Sequence, residues 1–341
     1  MSILILGIET SCDETAAAVV ADGRTIISNI VASQVDIHAR YGGVIPEVAS
    51  RRHIESLNSV IAAALSDAGV GFPDLDAVAV TCGPGLLGSL LVGLMAAKSL
   101  AFALDIPLIA VNHVKAHIYA NFLNELEVPF PFVALVVSGG HTDIVYASGH
   151  SDFNLLGQTR DDAAGETFDK VARYLGLGYP GGPLIEQSAL HGKPDAIPFP
   201  RAILEEGSLD TSFSGLKTAV VNYVNQSRQK GTPVDLPDLT ASFQAAVVDV
   251  LVGKACAAAK TRNARALLLA GGVSSNGYLR MRFSEQTDRQ NIRLIVPPPS
   301  LCTDNAAMVA AAGYFQFLRS DFAPLSLNAD ANLPLGQSAP D

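Results

Sequence analysis

The feature that most constrains the fold is a design that occurs twice. Ile3 to Val20 reads strand, small polar turn, strand, with Glu9-Thr-Ser-Cys-Asp-Glu14 at the bend. Phe132 to Tyr146 reads the same way around Ser138-Gly-Gly-His141. Apolar, β-branched runs on either side of a small polar turn specify hairpins whose strands stay in a core. Such a turn exposes backbone N–H groups and hydroxyls that can grip an anion, although each one alone is also an ordinary hairpin. Recurrence in the two halves predicts a duplicated α/β fold with a cleft between two lobes, where ligands commonly sit. At 341 residues, 49% hydrophobic and 16% charged, the chain can bury a double core of that kind.

Strand, glycine turn and helix also recur. Pro46 to Ala68 has a helical apolar rhythm, and Asp76 to Thr81 is a strand leading through Gly83-Pro-Gly-Leu-Leu-Gly-Ser89 into an apolar stretch, Leu86 to Leu104. Gly88, Ser89, Gly93, Lys98 and Ser99 interrupt that stretch, so it reads as a buried helix rather than a membrane span. Ala266 to Arg280 repeats the arrangement, with Asn276 behind two hydroxyl residues. Glycine turns before helices suit phosphate binding and close helix-on-sheet packing equally.

The strand Pro107–Val111 runs into Asn112, a good N-cap for a helix that begins at His113. His113 and His117, four apart, then share one helix face and can converge on a cation, with Asp304 of Cys-Thr-Asp-Asn as a third ligand. In the first helical turn the positive end of the dipole would keep His113 neutral. The same spacing also arises on helices that hold no metal. A zinc-protease reading loses ground because Val114 stands where the general-base Glu would follow the first His. Two histidines and a carboxylate with open positions suit Fe(II) or Zn(II).

Three further segments carry polar signals. Asp161-Asp-Ala-Ala-Gly-Glu-Thr-Phe-Asp-Lys170 reads as the acidic opening of a helix, with Asp169 placed to face a ligand hydroxyl. Gly178-Tyr-Pro-Gly-Gly-Pro-Leu-Ile-Glu186 lacks periodicity until Pro183, and Gly181-Gly182 would let backbone approach a sugar or acyl group. Thr211 to Thr218 is a polar turn before a helix, where Lys217 would serve a phosphate or a surface cap.

The net charge of −10 repels nucleic acid over the surface as a whole. Local basic candidates are Arg51-Arg52-His53 and Lys254, Lys260, Arg262 and Arg265, which are more often solvated helix faces. Nucleic acid, if bound, would then be held partly by another protein. A helix over Arg51 to Leu65 would face either a partner or the core. Cys12, Cys82, Cys256 and Cys302 have no C-x-x-C spacing and read as reduced thiols in small-residue turns. The start, Met-Ser-Ile-Leu-Ile-Leu, lacks a signal-peptide pattern, which predicts a cytoplasmic protein, and the residues after Asn328 read as a disordered tail.

Taken together, Gly-Ile-Glu-Thr-Ser-Cys-Asp-Glu-Thr (7–15), Val-Ser-Gly-Gly-His-Thr (137–142), Ala-Gly-Glu-Thr-Phe-Asp-Lys (164–170), Tyr-Pro-Gly-Gly-Pro (179–183), Ser-Phe-Ser-Gly-Leu-Lys-Thr (212–218) and Gly-Gly-Val-Ser-Ser-Asn (271–276) closely resemble the tRNA N6-adenosine threonylcarbamoyltransferase family, the bacterial TsaD proteins once labelled glycoproteases. The resemblance implies an actin-like, sugar-kinase-like (ASKHA) α/β fold: a first lobe over 1–110 closed by a C-terminal helix at 305–325, a second over 111–304 carrying most of the substrate site, and a tail over 326–341. It implies one divalent metal per subunit, Fe(II) ahead of Zn(II), on His113, His117 and Asp304. It implies threonylcarbamoyl-AMP held by Val136, Val137, Ser138, Gly139, Gly140, Asp169, Gly182, Glu186 and Asn276. The threonylcarbamoyl group would pass to N6 of adenosine 37 in tRNAs reading codons that begin with A, with AMP leaving. Implied partners are the tRNA, a paralogous actin-like subunit of TsaB type and a small ATPase of TsaE type, with no membrane; organellar relatives act alone.

The catalytic base is unassigned, with Asp13 or Glu14 as candidates within reach. Lys115-Ala116 stands where many relatives carry Glu-Gly, and Glu186 where many have Asp. Lys115 would point away from the metal. An ATP-dependent small-molecule kinase or chaperone ATPase on the same fold explains the hairpins and glycine turns but leaves the histidine pair idle. A non-catalytic scaffold would have no use for His113, His117 and Asp304.

Overall fold

The computed structural model describes residues 2–123, 127–202, 205 and 207–337. Two compact units emerge: 1–128 with 300–341, and 129–299. Each is built on a five-stranded sheet, and the two sheets have the same plan.

In the first unit β1 (Leu4–Glu9) and β2 (Glu14–Ala21) form the expected hairpin, extended by β3 (Thr25–Ser33). β4 (Ala77–Gly83) and β5 (Leu108–Asn112) then add in parallel, giving the order β3-β2-β1-β4-β5. In the second unit β6 (Phe132–Val137), β7 (Thr142–Gly149) and β8 (Asp152–Gln158) are antiparallel. β9 (Ala266–Ala270) and β10 (Arg293–Ile295) are parallel, in the order β10-β9-β6-β7-β8. Read from the other edge, that is the first sheet again, so the duplication inferred from the two hairpins holds at the level of topology. Parallel neighbours need helical crossovers, and the chain supplies them.

Helix α1 (Val35–Ala39) is a single turn. α2 (Pro46–Ala68) begins with Pro at its first position and ends on Gly69 in the left-handed conformation, φ 66°, a stop that glycine adopts without strain. Its Leu57, Val60, Ile61 and Ala64 pack with Leu90 and Leu94 of α3 (Leu87–Leu104) over Leu6, Ile8, Val78 and Val80. So α2 faces the core, while Arg51, Arg52 and Ile54 are exposed.

α3 corrects an expectation. It is a helix, but Leu87, Leu91, Met95 and Phe102 are exposed, Phe102 by 76%. A run with leucines and other apolar residues on every side carries too little periodicity to say which face is covered.

The opposite face of the first sheet is covered by α10 (Ala306–Phe317). Its alanines allow backbone-level approach: a Cβ on Gly7 would stand 2.2 Å from the Ala306 carbonyl oxygen. α4 (His113–Tyr119) packs on α10, and Tyr119, Phe122 and Phe315 stack with ring centroids 4.9–5.4 Å apart. That aromatic contact keeps 111–128 with the first unit, so the break falls after Val128 rather than after 110, and α10 ends at Phe317 rather than 325.

Nor is the chain after Asn328 loose over its described residues. Leu327 and Leu333 are buried in the first unit's core, Asp330 N–H donates to the Cys82 carbonyl (2.9 Å), and Asn112 Nδ2 donates to the Leu333 carbonyl (3.2 Å).

In the second unit α5 (Ala164–Leu175), α6 (Gly181–Ala189), α7 (Ser214–Lys230), α8 (Leu236–Thr261) and α9 (Gly277–Gln290) accompany the sheet. Phe168, Phe243, Val247 and Phe283 fill the core against Val133, Leu135 and Ile144. Among the described residues α3 and α8 are the helices long and apolar enough to cross a membrane, and 78% of that window in α8 is buried in the protein. The four cysteines are free, but Cys82 lies in β4 and Cys256 in α8, not in turns. Burial raises both thiols, to about 12 and about 11.

Candidate metal centre and substrate-binding elements

The His-His-Asp group is assembled within the first unit. Asn112 caps α4 as expected, its Oδ1 accepting the Lys115 N–H at 3.2 Å, and the helix then presents His113 and His117 on one side. His117 Nε2 is 3.1 Å from Asp304 Oδ1, and His113 Nε2 is 3.7 Å from the same oxygen. One ligand atom from each of the three residues falls within 4.8 Å of the others.

The residues fit a cation. His117 is 1% exposed; its Nδ1 makes no hydrogen bond among the described residues, and its Nε2 faces the Asp304 carboxylate at 3.1 Å without hydrogen-bond geometry. A buried imidazole without a partner is costly unless something else satisfies it. Two imidazoles and one carboxylate leave coordination positions open, as a divalent catalytic metal requires.

Glu9, at the end of β1, completes the surroundings. Fully buried, it accepts the Ser11 N–H (2.6 Å) and the Thr81 hydroxyl (2.6 Å), and its Oε2 lies 3.2 Å from His113 Nδ1. A carboxylate there can accept a hydrogen bond from Nδ1–H and so leave Nε2 for a metal. Burial works against a charge on His113, but Asp304 and Glu9 outweigh it and lift the imidazole to about 9. Two carboxylates therefore overrule the helix dipole, and a cation would compete with a proton at this site. Nothing in the sequence links positions 9 and 113; only the alignment of β1 beside β4 and β5 brings them together.

The β1–β2 turn holds the candidate bases. Burial and the neighbouring Asp13 push Glu14 up to about 9, so it is protonated at neutral pH and is no ready base. Fully buried His53 leaves the supposed basic patch altogether: its Nε2 is 2.9 Å from the Cys12 carbonyl and its Nδ1 2.8 Å from the Thr15 hydroxyl. Lys115 lies 6.0 Å from the Tyr119 ring centroid; burial and Arg319 lower it to about 8. The Gly83–Gly85 turn is filled by protein, since a Cβ on Gly83 would meet the Asp330 carbonyl at 2.0 Å and one on Gly85 the Ser11 carbonyl at 2.6 Å. Close packing, not phosphate, accounts for these glycines.

The remaining site residues are all in the second unit. Val136 and Val137 end β6, and Ser138–Gly140 form the bend into β7. Ser138 Oγ accepts the Gly140 and His141 N–H groups (3.3 and 3.1 Å), while the Gly139 N–H has no acceptor among the described residues. A Cβ on Gly139 or Gly140 would meet open space. Two other glycines clamp the bend: a Cβ on Gly165 would stand 2.5 Å from the Ser138 carbonyl oxygen, and one on Gly271 2.4 Å from that of Val137.

A chain of side-chain-to-backbone bonds brings the rest together. Asp169 Oδ1 accepts the Gly181 N–H at 2.6 Å, fixing the start of α6 on α5. That helix begins at Gly181, two residues before the Pro183 expected from periodicity. Gly181 is required by its contact with α5, whereas a Cβ on Gly182 would touch nothing. Glu186 Oε1 accepts the Gly277 N–H at 2.7 Å, and the adjacent Asn276 caps α9.

The acidic pair before α5 acts elsewhere than expected. Asp161 precedes the helix and accepts from Ser212, Phe213 N–H and Ser214 at the start of α7. Asp162 pairs with Lys170 (2.6 Å) and Lys217 (3.1 Å), which commits Lys217 to an ion pair. Of the other basic candidates, Lys254 donates to the Ser208 carbonyl and Arg262 lies over the Tyr146 ring.

Duplicated sheets and a buried two-histidine, one-carboxylate group define an actin-like, sugar-kinase-like α/β protein with a candidate metal centre. Among solved structures, HypF from T. kodakarensis superimposes with a TM-score of 0.64 at 15% identity, over 94% of this chain and 48% of that one. The activator of the 2-hydroxyisocaproyl-CoA dehydratase from Clostridium difficile gives 0.53 at 14% identity, over 94% and 97%. Both likenesses concern the fold. A family model described as TsaD, tRNA N6-adenosine threonylcarbamoyltransferase, matches residues 25–311. Curated proteins named tRNA N6-adenosine threonylcarbamoyltransferase are 58% identical in Moorella thermoacetica (97% of both chains), 57% in Desulfitobacterium hafniense (98% of both) and 54% in Clostridium perfringens (98% of both). The chain belongs to the TsaD family.

Proposed function

We infer that the protein transfers the threonylcarbamoyl group of threonylcarbamoyl-AMP to N6 of adenosine 37 in tRNAs reading codons that begin with A, releasing AMP. The observation that carries this reading is the assembled His113–His117–Asp304 group in a chain 58% identical to a curated transferase over 97% of its length. The kinase or ATPase alternative leaves that buried group unexplained.

A divalent cation on these three residues, Fe(II) ahead of Zn(II), would act as a Lewis acid toward the carbamoyl oxygen. The chain's own groups bind and orient. Asn112 caps the helix that carries both histidines, and Glu9 would hold the proton at Nδ1 of His113 when Nε2 binds the cation. In the second unit the open Gly139 N–H and the Ser138 hydroxyl suit the adenylate phosphate. Asp169, Glu186 and Asn276 suit ribose hydroxyls, because carboxylates and an amide N–H match their donors and acceptors. Gly182 leaves room for the nucleotide to approach backbone. Glu14, being protonated at neutral pH, would not serve as the base. A paralogous TsaB-type subunit and a small TsaE-type ATPase are the partners this reading carries, in the cytoplasm.

The test is transfer of labelled threonine from synthetic threonylcarbamoyl-AMP to an unmodified tRNA of that class, with and without the two partners, for wild type, His117→Ala and Asp304→Asn. Label on adenosine that disappears in both variants is the expected result. A wild type that labels no tRNA even with partners, yet consumes ATP against a small molecule, would return the kinase reading.

A further inference from the structure

Asn276 is held from both ends, and the residue at one end has no role in the reaction as described. Its Oδ1 accepts the Leu279 N–H at 2.8 Å. A backbone N–H can only donate, so this bond fixes which end of the amide is oxygen. Nδ2 therefore donates to Gln244 Oε1, also at 2.8 Å. Gln244 lies within α8, 5% exposed, with Phe243, Ala245, Ala246, Val247 and Val248 all buried around it in sequence. An amide among such neighbours is costly unless it is bonded, and an apolar residue would pack there without that cost. Asn276 itself is 6% exposed, and its second Nδ2–H has no acceptor among the described residues. The next residue, Gly277, donates its N–H to Glu186.

We propose that Gln244 is a positioning residue whose carboxamide oxygen orients the Asn276 amide, so that the second Nδ2–H donates to a ribose hydroxyl of the adenylate. The inference rests on the reading of Asn276 as a substrate contact. One bond at Oδ1 leaves the amide plane free to swing, whereas a second at Nδ2 fixes it and aims the remaining N–H. Gln244 does not itself touch the nucleotide in this scheme.

The probe is AMP, titrated calorimetrically into wild type, Gln244→Leu, Asn276→Ala and the double variant, with 2′,3′-dideoxy-AMP beside it. Gln244→Leu is expected to weaken AMP about tenfold and dideoxy-AMP less than twofold, because only AMP offers the hydroxyl. In the Asn276→Ala background the same change adds nothing. The KM for threonylcarbamoyl-AMP rises while kcat stays within twofold. If the Leu variant does not fold, Gln244→Met keeps the length and removes the acceptor. Wild-type affinity for AMP in the variant, or equal loss for both nucleotides, overturns the proposal. If Asn276→Ala leaves AMP binding intact, the substrate reading of Asn276 falls first; if it weakens AMP while Gln244→Leu does not, only the positioning role falls.

Discussion

Glu9 Oε2 lies 3.2 Å from Nδ1 of His113, at the bottom of a fully buried set of contacts that includes the Ser11 N–H and the Thr81 hydroxyl. The carboxylate sets the tautomer of a candidate metal ligand. Glu9→Gln keeps the size and two of the contacts but removes the anion. Metal affinity, measured by chelator competition with Fe(II) and Zn(II), is expected to fall about 10–100-fold. Unchanged affinity would mean that Glu9 serves only Ser11 and Thr81.

The C-terminal segment is anchored rather than loose. Leu333 is 4% exposed against the core of the first unit, and its carbonyl accepts from Asn112, the cap of the histidine helix. Leu333→Ala is expected to cost about 2–4 kcal/mol in urea unfolding. A stability equal to wild type would contradict the anchoring.

How much of this can be read from the sequence depends on which physical signal each residue leaves there. α2 is legible from Pro46 to Ala68 because a proline start, an apolar rhythm and Gly69 agree. Both hairpins and the helix opening at His113 are legible for the same reason. α3 is legible as a helix but not in its orientation, since leucines on both faces erase the period. The tail is misread because composition averages over Leu327 and Leu333, the residues that hold it. Asp161 and Asp162 look like charges for the helix that follows them, but only the Asp162–Lys170 pair is on that helix; the start of α7, some fifty residues away, supplies Phe213 N–H and Lys217. At the candidate site, the ligands His113, His117 and Asp304 are recognisable by chemistry, but Glu9 touches His113, and Gln244 touches Asn276 in the second unit, from positions far away in the sequence. Such supporting contacts are long-range and leave no spacing to find.

The glycines of the second unit divide by what a Cβ would meet. Gly165 has the Ser138 carbonyl oxygen at 2.5 Å, and Gly140 has nothing within 4 Å. Gly165→Ala is expected to destabilise by about 1–3 kcal/mol through overpacking and to lower the melting temperature. Gly140→Ala should melt with wild type and raise the KM for threonylcarbamoyl-AMP, because its methyl group occupies space left for the nucleotide. Melting curves and KM values for the pair check both, and a Gly140→Ala enzyme with unchanged KM would remove the bend from the substrate site.

Glu14 gives the protein a pH dependence with a definite sign. Burial and Asp13 raise its carboxyl from 4.5 to about 9, so the folded state holds the proton more tightly than the unfolded chain. Stability from this group is complete below about pH 4.5 and is lost progressively as the pH climbs to 9. Glu14→Gln retains an acceptor for the Ser33 hydroxyl, 2.9 Å away, and has no proton to lose. Its advantage over wild type should therefore grow with pH across that window. By pH 9 it should reach on the order of 2 kcal/mol, well short of the full shift because the residue is half-buried and screened by solvent. Urea unfolding at pH 5, 7 and 9 measures it. Parallel stability profiles for the two proteins would mean that Glu14 titrates alike in the folded and unfolded states.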